Sequence, residues 1–108
     1  MTITEKNYEQ KLKGLQVLEV SGEGCANCIS LMNMLSVVIG DRTDVELVHF
    51  ELDEDSKSFI ERYSIDRVPT VLLLDDGVEI ARVKGFQPEE VFEVWLDYKL
   101  AEYQNSKK

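Results

Sequence analysis

Cysteine and histidine are scarce in this 108-residue chain, which has two cysteines, Cys25 and Cys28, and one histidine, His49. Two cysteines are too few for the disulfide framework that staples a small secreted domain. An intramolecular zinc site, which takes four ligands, would need a carboxylate beside them, or two chains pooling their pairs. No stretch approaches the ~20 apolar residues of a membrane-spanning helix. The opening Met1-Thr2-Ile3-Thr4-Glu5-Lys6 has no basic segment leading into an apolar one, so no secretory signal is visible. Positive charge is also short: 12 basic against 21 acidic residues leave a net charge of −9. A phosphate backbone would be repelled, which argues against nucleic-acid partners. The acidity reads as a solvated surface, with basic partners as the alternative. Without internal repeats, low-complexity tracts or linkers, the expectation is a single domain over residues 1–108, with 105–108 as a frayed tail.

The remaining pattern alternates. Thr2-Ile3-Thr4-Glu5 reads as a capping signal, with Thr2 or Thr4 as the cap, for a short helix over Glu5–Leu12 that Gly14 ends. Leu15–Val20 is a short apolar run with β-branched residues and reads as a strand. From Cys25 to Ile39 the apolar positions run too long for most strands and predict a helix closed by Gly40-Asp41. Val45–Leu52 predicts a strand, and Ser56–Tyr63 a short helix with caps offered from Asp53 to Ser56. Thr70–Leu74 predicts a buried strand, Asp75-Asp76-Gly77 a hairpin turn, and Val78–Val83 the partner strand. Pro88 stands where a last helix would begin, and that helix carries Val91, Phe92, Trp95, Leu96, Tyr98 and Tyr103. Alternating helices and strands followed by a hairpin predict an α/β fold. Its mixed central sheet would have about four to five strands and helices on both faces.

The chemistry lies in Cys25-Ala26-Asn27-Cys28, just after an apolar run and at the start of the long helix. Cysteines at this spacing form a dithiol that closes to a disulfide, and a helix N-terminus stabilises a thiolate on the first sulfur. The bland alternative is two structural cysteines in a buried helix.

The order Cys25-Ala26-Asn27-Cys28, then Ile65-Asp66-Arg67-Val68-Pro69-Thr70 before a strand, Asp76-Gly77 in the hairpin and Lys84-Gly85-Phe86 after it resembles the thioredoxin family. The resemblance runs from Thr2 to about Leu100. It implies a thioredoxin fold and a thiol–disulfide oxidoreductase that reduces protein disulfides. Cys25 would be the attacking thiolate and Cys28, more buried, the resolving thiol. The resemblance also implies a cis Pro69 facing the dithiol, in a loop that takes an extended peptide along its backbone, with Val68, Thr70 and Gly85 in the substrate surface. Phe86, which follows Gly85 beside Val68, would add apolar docking surface where the family's usual tryptophan is absent. Phe86 could equally tuck into the core, and Pro69 could be a plain turn proline. Glu19 matches a buried acid that assists proton transfer to and from the resolving thiol; a carboxylate taken out of water holds its proton more tightly, which suits that task. Glu19 could instead face solvent. His49 stands where it could pair with Glu19 and titrate near neutrality, or be a half-buried strand histidine with no catalytic part. No metal and no cofactor are expected, because two sulfurs carry the electrons. Disulfide-containing proteins and an electron-supplying reductase are the implied partners of a cytoplasmic monomer.

Two departures separate the chain from that family. Gly24 replaces the tryptophan usual before the first cysteine, and Ala26-Asn27 replaces the usual Gly-Pro between the cysteines. Both weaken any inference about redox poise or reductase recognition, and they favour a second reading: a binding or redox-sensing module that does not cycle.

Overall fold

Across residues 1–107, which the computed structural model describes, the elements run β1 (Thr2–Ile3), α1 (Tyr8–Lys11), β2 (Leu15–Ser21), α2 (Ala26–Gly40), β3 (Glu46–Glu51), α3 (Lys57–Tyr63), β4 (Thr70–Asp75), β5 (Val78–Lys84) and α4 (Glu89–Ser106). The strands form one five-stranded sheet in the order β1-β3-β2-β4-β5. β2 lies parallel to β3 and antiparallel to β4, β1 pairs parallel on the β3 edge, and β5 pairs antiparallel on β4. A parallel pair needs a long crossover and an antiparallel pair needs only a turn. α2 supplies the crossover between β2 and β3, and Asp76-Gly77 the turn between β4 and β5. Both turn residues have positive φ, 51° and 80°, the geometry that a two-residue hairpin demands.

β2 takes the centre because both of its faces can be buried: Val17, Leu18 and Val20 have no exposed surface. Successive side chains point to opposite faces, so two cores form. Leu18, Val20, Val48, Phe50, Leu72 and Leu74 pack beneath α1 and α3, where Phe50 and Phe59 stack with centroids 3.8 Å apart. Val17, Val71 and Leu73 pack beneath α2 and α4 with Leu31, Leu35, Phe92 and Leu96.

Four differences from the sequence reading stand out at the element boundaries. Thr2-Ile3 is an edge strand rather than a helix cap, because Ile3 is 2% exposed in the core and the pairing Thr2↔His49, Ile3↔Phe50 satisfies its backbone. The first helix shrinks to one turn, entered when the Thr4 carbonyl accepts the Asn7 and Tyr8 N–H groups. At the other end α4 continues through Ser106, so Asn105 and Ser106 are helical where a frayed tail was expected. Lys107 is its C-cap, and Lys108 lies outside the described residues. The extension is held by the Tyr103 hydroxyl, which donates to the Asp75 carboxylate, and by Lys107 Nζ 3.6 Å from the same group. Pro88 is the N-cap rather than the first helical residue, its carbonyl accepting from Phe92 N. Among the described residues no helix is long and apolar enough to cross a membrane.

Candidate active site

The site begins where β2 runs out. Gly22-Glu23-Gly24 turns the chain, with Gly24 at φ 72°, a conformation glycine adopts without strain. The turn delivers Cys25 to the N-cap of α2 in an extended conformation. Cys28, one turn on, donates its backbone N–H to Cys25 Sγ at 3.2 Å. The sulfur therefore does what a capping side-chain oxygen does elsewhere: it takes one of the N–H groups that a helix start leaves unpaired. Cys25 and Cys28 are joined in a disulfide with their Cα atoms 5.3 Å apart. Cys25 is half-buried and Cys28 is buried. No acidic side chain lies in the first turn of α2 to offset the positive end of the helix.

On the β4 side, the pairing of Val20 with Thr70 brings the loop before β4 level with the turn after β2. The Val68–Pro69 peptide bond is cis, as expected. Val68 lies against Gly22 so closely that a Cβ there would stand 3.0 Å from Val68 Cγ2. Gly85 N donates to the Pro69 carbonyl at 2.8 Å, which ties the two loops together. Of the five residues predicted to form a substrate surface, Phe86 is exposed and Val68 and Gly85 are half-buried. Pro69 and Thr70 are buried, and the Thr70 hydroxyl donates to the Arg67 carbonyl at 2.7 Å, so it braces the loop from within.

On the β3 side, Glu19 and His49 are direct partners across the ladder. Glu19 has no exposed surface, which rules out the solvent-facing alternative. It shares a strand face with Val17 and Ser21, the face covered by α2. His49 Nδ1 lies 2.5 Å from Glu19 Oε1, and the Ser21 hydroxyl donates to Glu19 Oε2. A buried carboxylate needs such partners. The hydrogen bond to Glu19 raises the His49 pKa above its ordinary value, against the opposing effect of burial, and Glu51 adds to the rise. Sequence reasoning missed Ser21, although its place two residues after Glu19 puts it on the same strand face. It also missed a cavity of about 530 Å³ between α2 and β3, bordered by Ser21, Cys25, Cys28, Asn33, His49 and Glu51. The dithiol and the His49 ring thus open onto one space. Among the described residues, no three His, Cys, Asp or Glu side chains form a group that could hold a metal ion.

Residues 3–100 match the family described as thioredoxin-like domain. A thioredoxin of Chlamydia pneumoniae is 30% identical over 89 residues, covering 82% of this chain and 86% of that protein. A thioredoxin of Staphylococcus epidermidis is 25% identical over 97 residues, covering 88% and 92%. Among solved structures, Chlamydomonas reinhardtii thioredoxin f2 superposes with a TM-score of 0.77 at 19% identity, covering 91% of this chain and 94% of that one. The short form of spinach chloroplast thioredoxin f superposes with a TM-score of 0.77 at 16% identity, covering 87% and 88%. At these identities the two structures speak for the fold alone.

Proposed function

The chain belongs to the thioredoxin-like domain family, and from that premise we propose that it is a thiol–disulfide oxidoreductase that reduces protein disulfides. The observation that carries the reading is the Cys25–Cys28 pair at the N-cap and first turn of α2, with Cys28 N–H donating to Cys25 Sγ. The same N–H and the helix's positive end would stabilise a thiolate on Cys25 in the reduced state. Cys25 is the attacking sulfur, because it is the more exposed of the two. It displaces one sulfur of a substrate disulfide to form a mixed disulfide. Cys28 then gives up its proton, attacks Cys25 and releases the reduced substrate.

In this reading the protein substrate lies along Val68, Pro69, Gly85 and Phe86, with Thr70 bracing the loop. Glu19 and His49 form the proton network that serves Cys28 across the shared cavity. A separate reductase returns two electrons to the disulfide, no cofactor takes part, and the protein works as a cytoplasmic monomer formed of a single domain. The second reading, a module that binds or senses without cycling, is favoured by Gly24 and Ala26-Asn27.

One experiment separates the two: dithiol-driven reduction of a model protein disulfide by the unaltered protein, Cys25→Ser and Cys28→Ser. The oxidoreductase predicts turnover that both substitutions abolish, with Cys28→Ser accumulating a mixed disulfide through Cys25. A fully formed Cys25–Cys28 disulfide that supports no turnover would leave the non-cycling module.

A further inference from the structure

The cavity beside the disulfide lies apart from the proposed protein-substrate surface. That surface is on the β4 side of β2, whereas the cavity opens on the β3 side, between β3 and α2. β1 pairs with β3 at His49 and Phe50, so the free sheet edge to which an extended peptide would add is that of β1, one strand further from the disulfide. About 530 Å³ instead falls in the range of small-molecule sites, roughly 300–1,000 Å³.

The lining has a definite chemistry. Both sulfurs border the space, with Ile29 and Met32 as apolar wall, and Asn33, His49 and Glu51 as polar groups. Glu51 is an exposed carboxylate and suits an ammonium group. His49, held toward its cationic form by Glu19, and the Asn33 amide suit a carboxylate. A ligand that offers an ammonium and a carboxylate close to sulfur, on a short apolar stem, meets all of these at once.

We propose that this cavity is a second substrate site, taking a small disulfide made of amino-acid halves, of which cystine is the simplest. The proposal rests on the dithiol reactivity assigned above. In the reduced protein the Cys25 thiolate attacks one sulfur of cystine, breaking its S–S bond. A cysteine thiolate leaves and takes up a proton. Cys28 then loses its proton and attacks Cys25, re-forming the Cys25–Cys28 disulfide. The second cysteine thiolate departs and takes up that proton. One cystine is reduced to two cysteines while one protein dithiol is oxidised, so the electrons balance with no further reactant. A disulfide with excess negative charge, such as oxidised glutathione, is a poor fit beside Glu51 on a chain of net charge −9.

The test uses pre-reduced protein freed of reductant, mixed in single turnover with L-cystine, oxidised glutathione or 3,3′-dithiodipropionic acid, which lacks the ammonium. Formation of the Cys25–Cys28 disulfide is followed by quenching and alkylation. Cystine is expected to react fastest. Glu51→Lys and the cavity-filling Asn33→Trp should each slow cystine about tenfold more than they slow reduction of a protein disulfide. Equal rates for the three small disulfides, cystine rates unmoved by both substitutions, or equal loss with cystine and with protein disulfide would overturn the proposal. A protein that takes cystine selectively yet reduces no protein disulfide would overturn the substrate reading above and leave this one standing.

Discussion

At the residue scale, Glu19 and His49 pair across the sheet beside the cavity that the disulfide borders. A buried carboxylate and a half-buried imidazole 2.5 Å apart stabilise each other most when the ring is charged. The His49 pKa is raised by Glu19 from its ordinary 6.5. A group whose folded pKa lies above its unfolded one adds stability that is complete below the unfolded value and is lost as pH rises through the folded value. His49→Gln keeps a hydrogen-bond donor for Glu19 but does not titrate. Urea unfolding across pH should therefore show the unaltered protein's advantage over His49→Gln largest below pH 6.5 and shrinking above it. A difference that stays flat with pH would mean the pair adds no pH-dependent stability. Phe86 is the opposite case. At 42% exposed it contributes little to the core. Phe86→Ala should cost less than about 1 kcal/mol of stability while raising KM for a protein disulfide. Earlier unfolding with KM unmoved would mean that Phe86 belongs to the core.

At the element scale, the site is a meeting of element ends. The turn after β2, the start of α2, the loop before β4 and the end of β5 converge because the register of β2 with β3 and β4 brings them level. Val68 lies over Gly22 in that convergence, leaving little room for a side chain there. The strain expected at Gly22→Ala is steric: its Cβ would stand 3.0 Å from Val68 Cγ2, so Val68, in the loop that carries Pro69, must give by a few tenths of an ångström. The expected cost is about 1–3 kcal/mol of stability together with a fall in protein-disulfide turnover. Adding Val68→Ala should restore part of the stability, which a double-mutant cycle would read as coupling between the two positions. Additive effects would show that the loops do not press on each other.

At the scale of the whole molecule, stability is divided between two cores separated by the sheet. The aromatic core holds Tyr8, Phe50, Phe59 and Tyr63, with Phe59 wholly buried and in ring contact with the other three. Phe59→Ala should remove about 3–5 kcal/mol, a large part of the ~5–15 kcal/mol that holds a domain of this kind together. Denaturant unfolding would read this as a large drop in midpoint. The dithiol sits on the other face, so the variant's remaining folded fraction should reduce disulfides normally; loss of activity in the folded fraction would show that the two faces are coupled.

The local chemistry was legible in the chain: the dithiol at a helix start, the strands with their period, the Asp-Gly hairpin, and hence a mixed sheet covered on both sides. These are properties of neighbours in the chain, set by backbone preferences and apolar spacing. The sequence also made Glu19 and His49 candidates without deciding their roles, because β2 is apolar on both faces and its alternation points no residue inward or outward. What depends on register between distant segments emerged with long-range packing. Pairing with β3 turned Thr2-Ile3 from a helix cap into a strand, put His49 opposite Glu19, and left the space between β3 and α2 open. Packing of α4 against the hairpin carried that helix through Ser106. Each of these outcomes rests on contacts between residues on different elements, far apart in the chain, which no local pattern encodes.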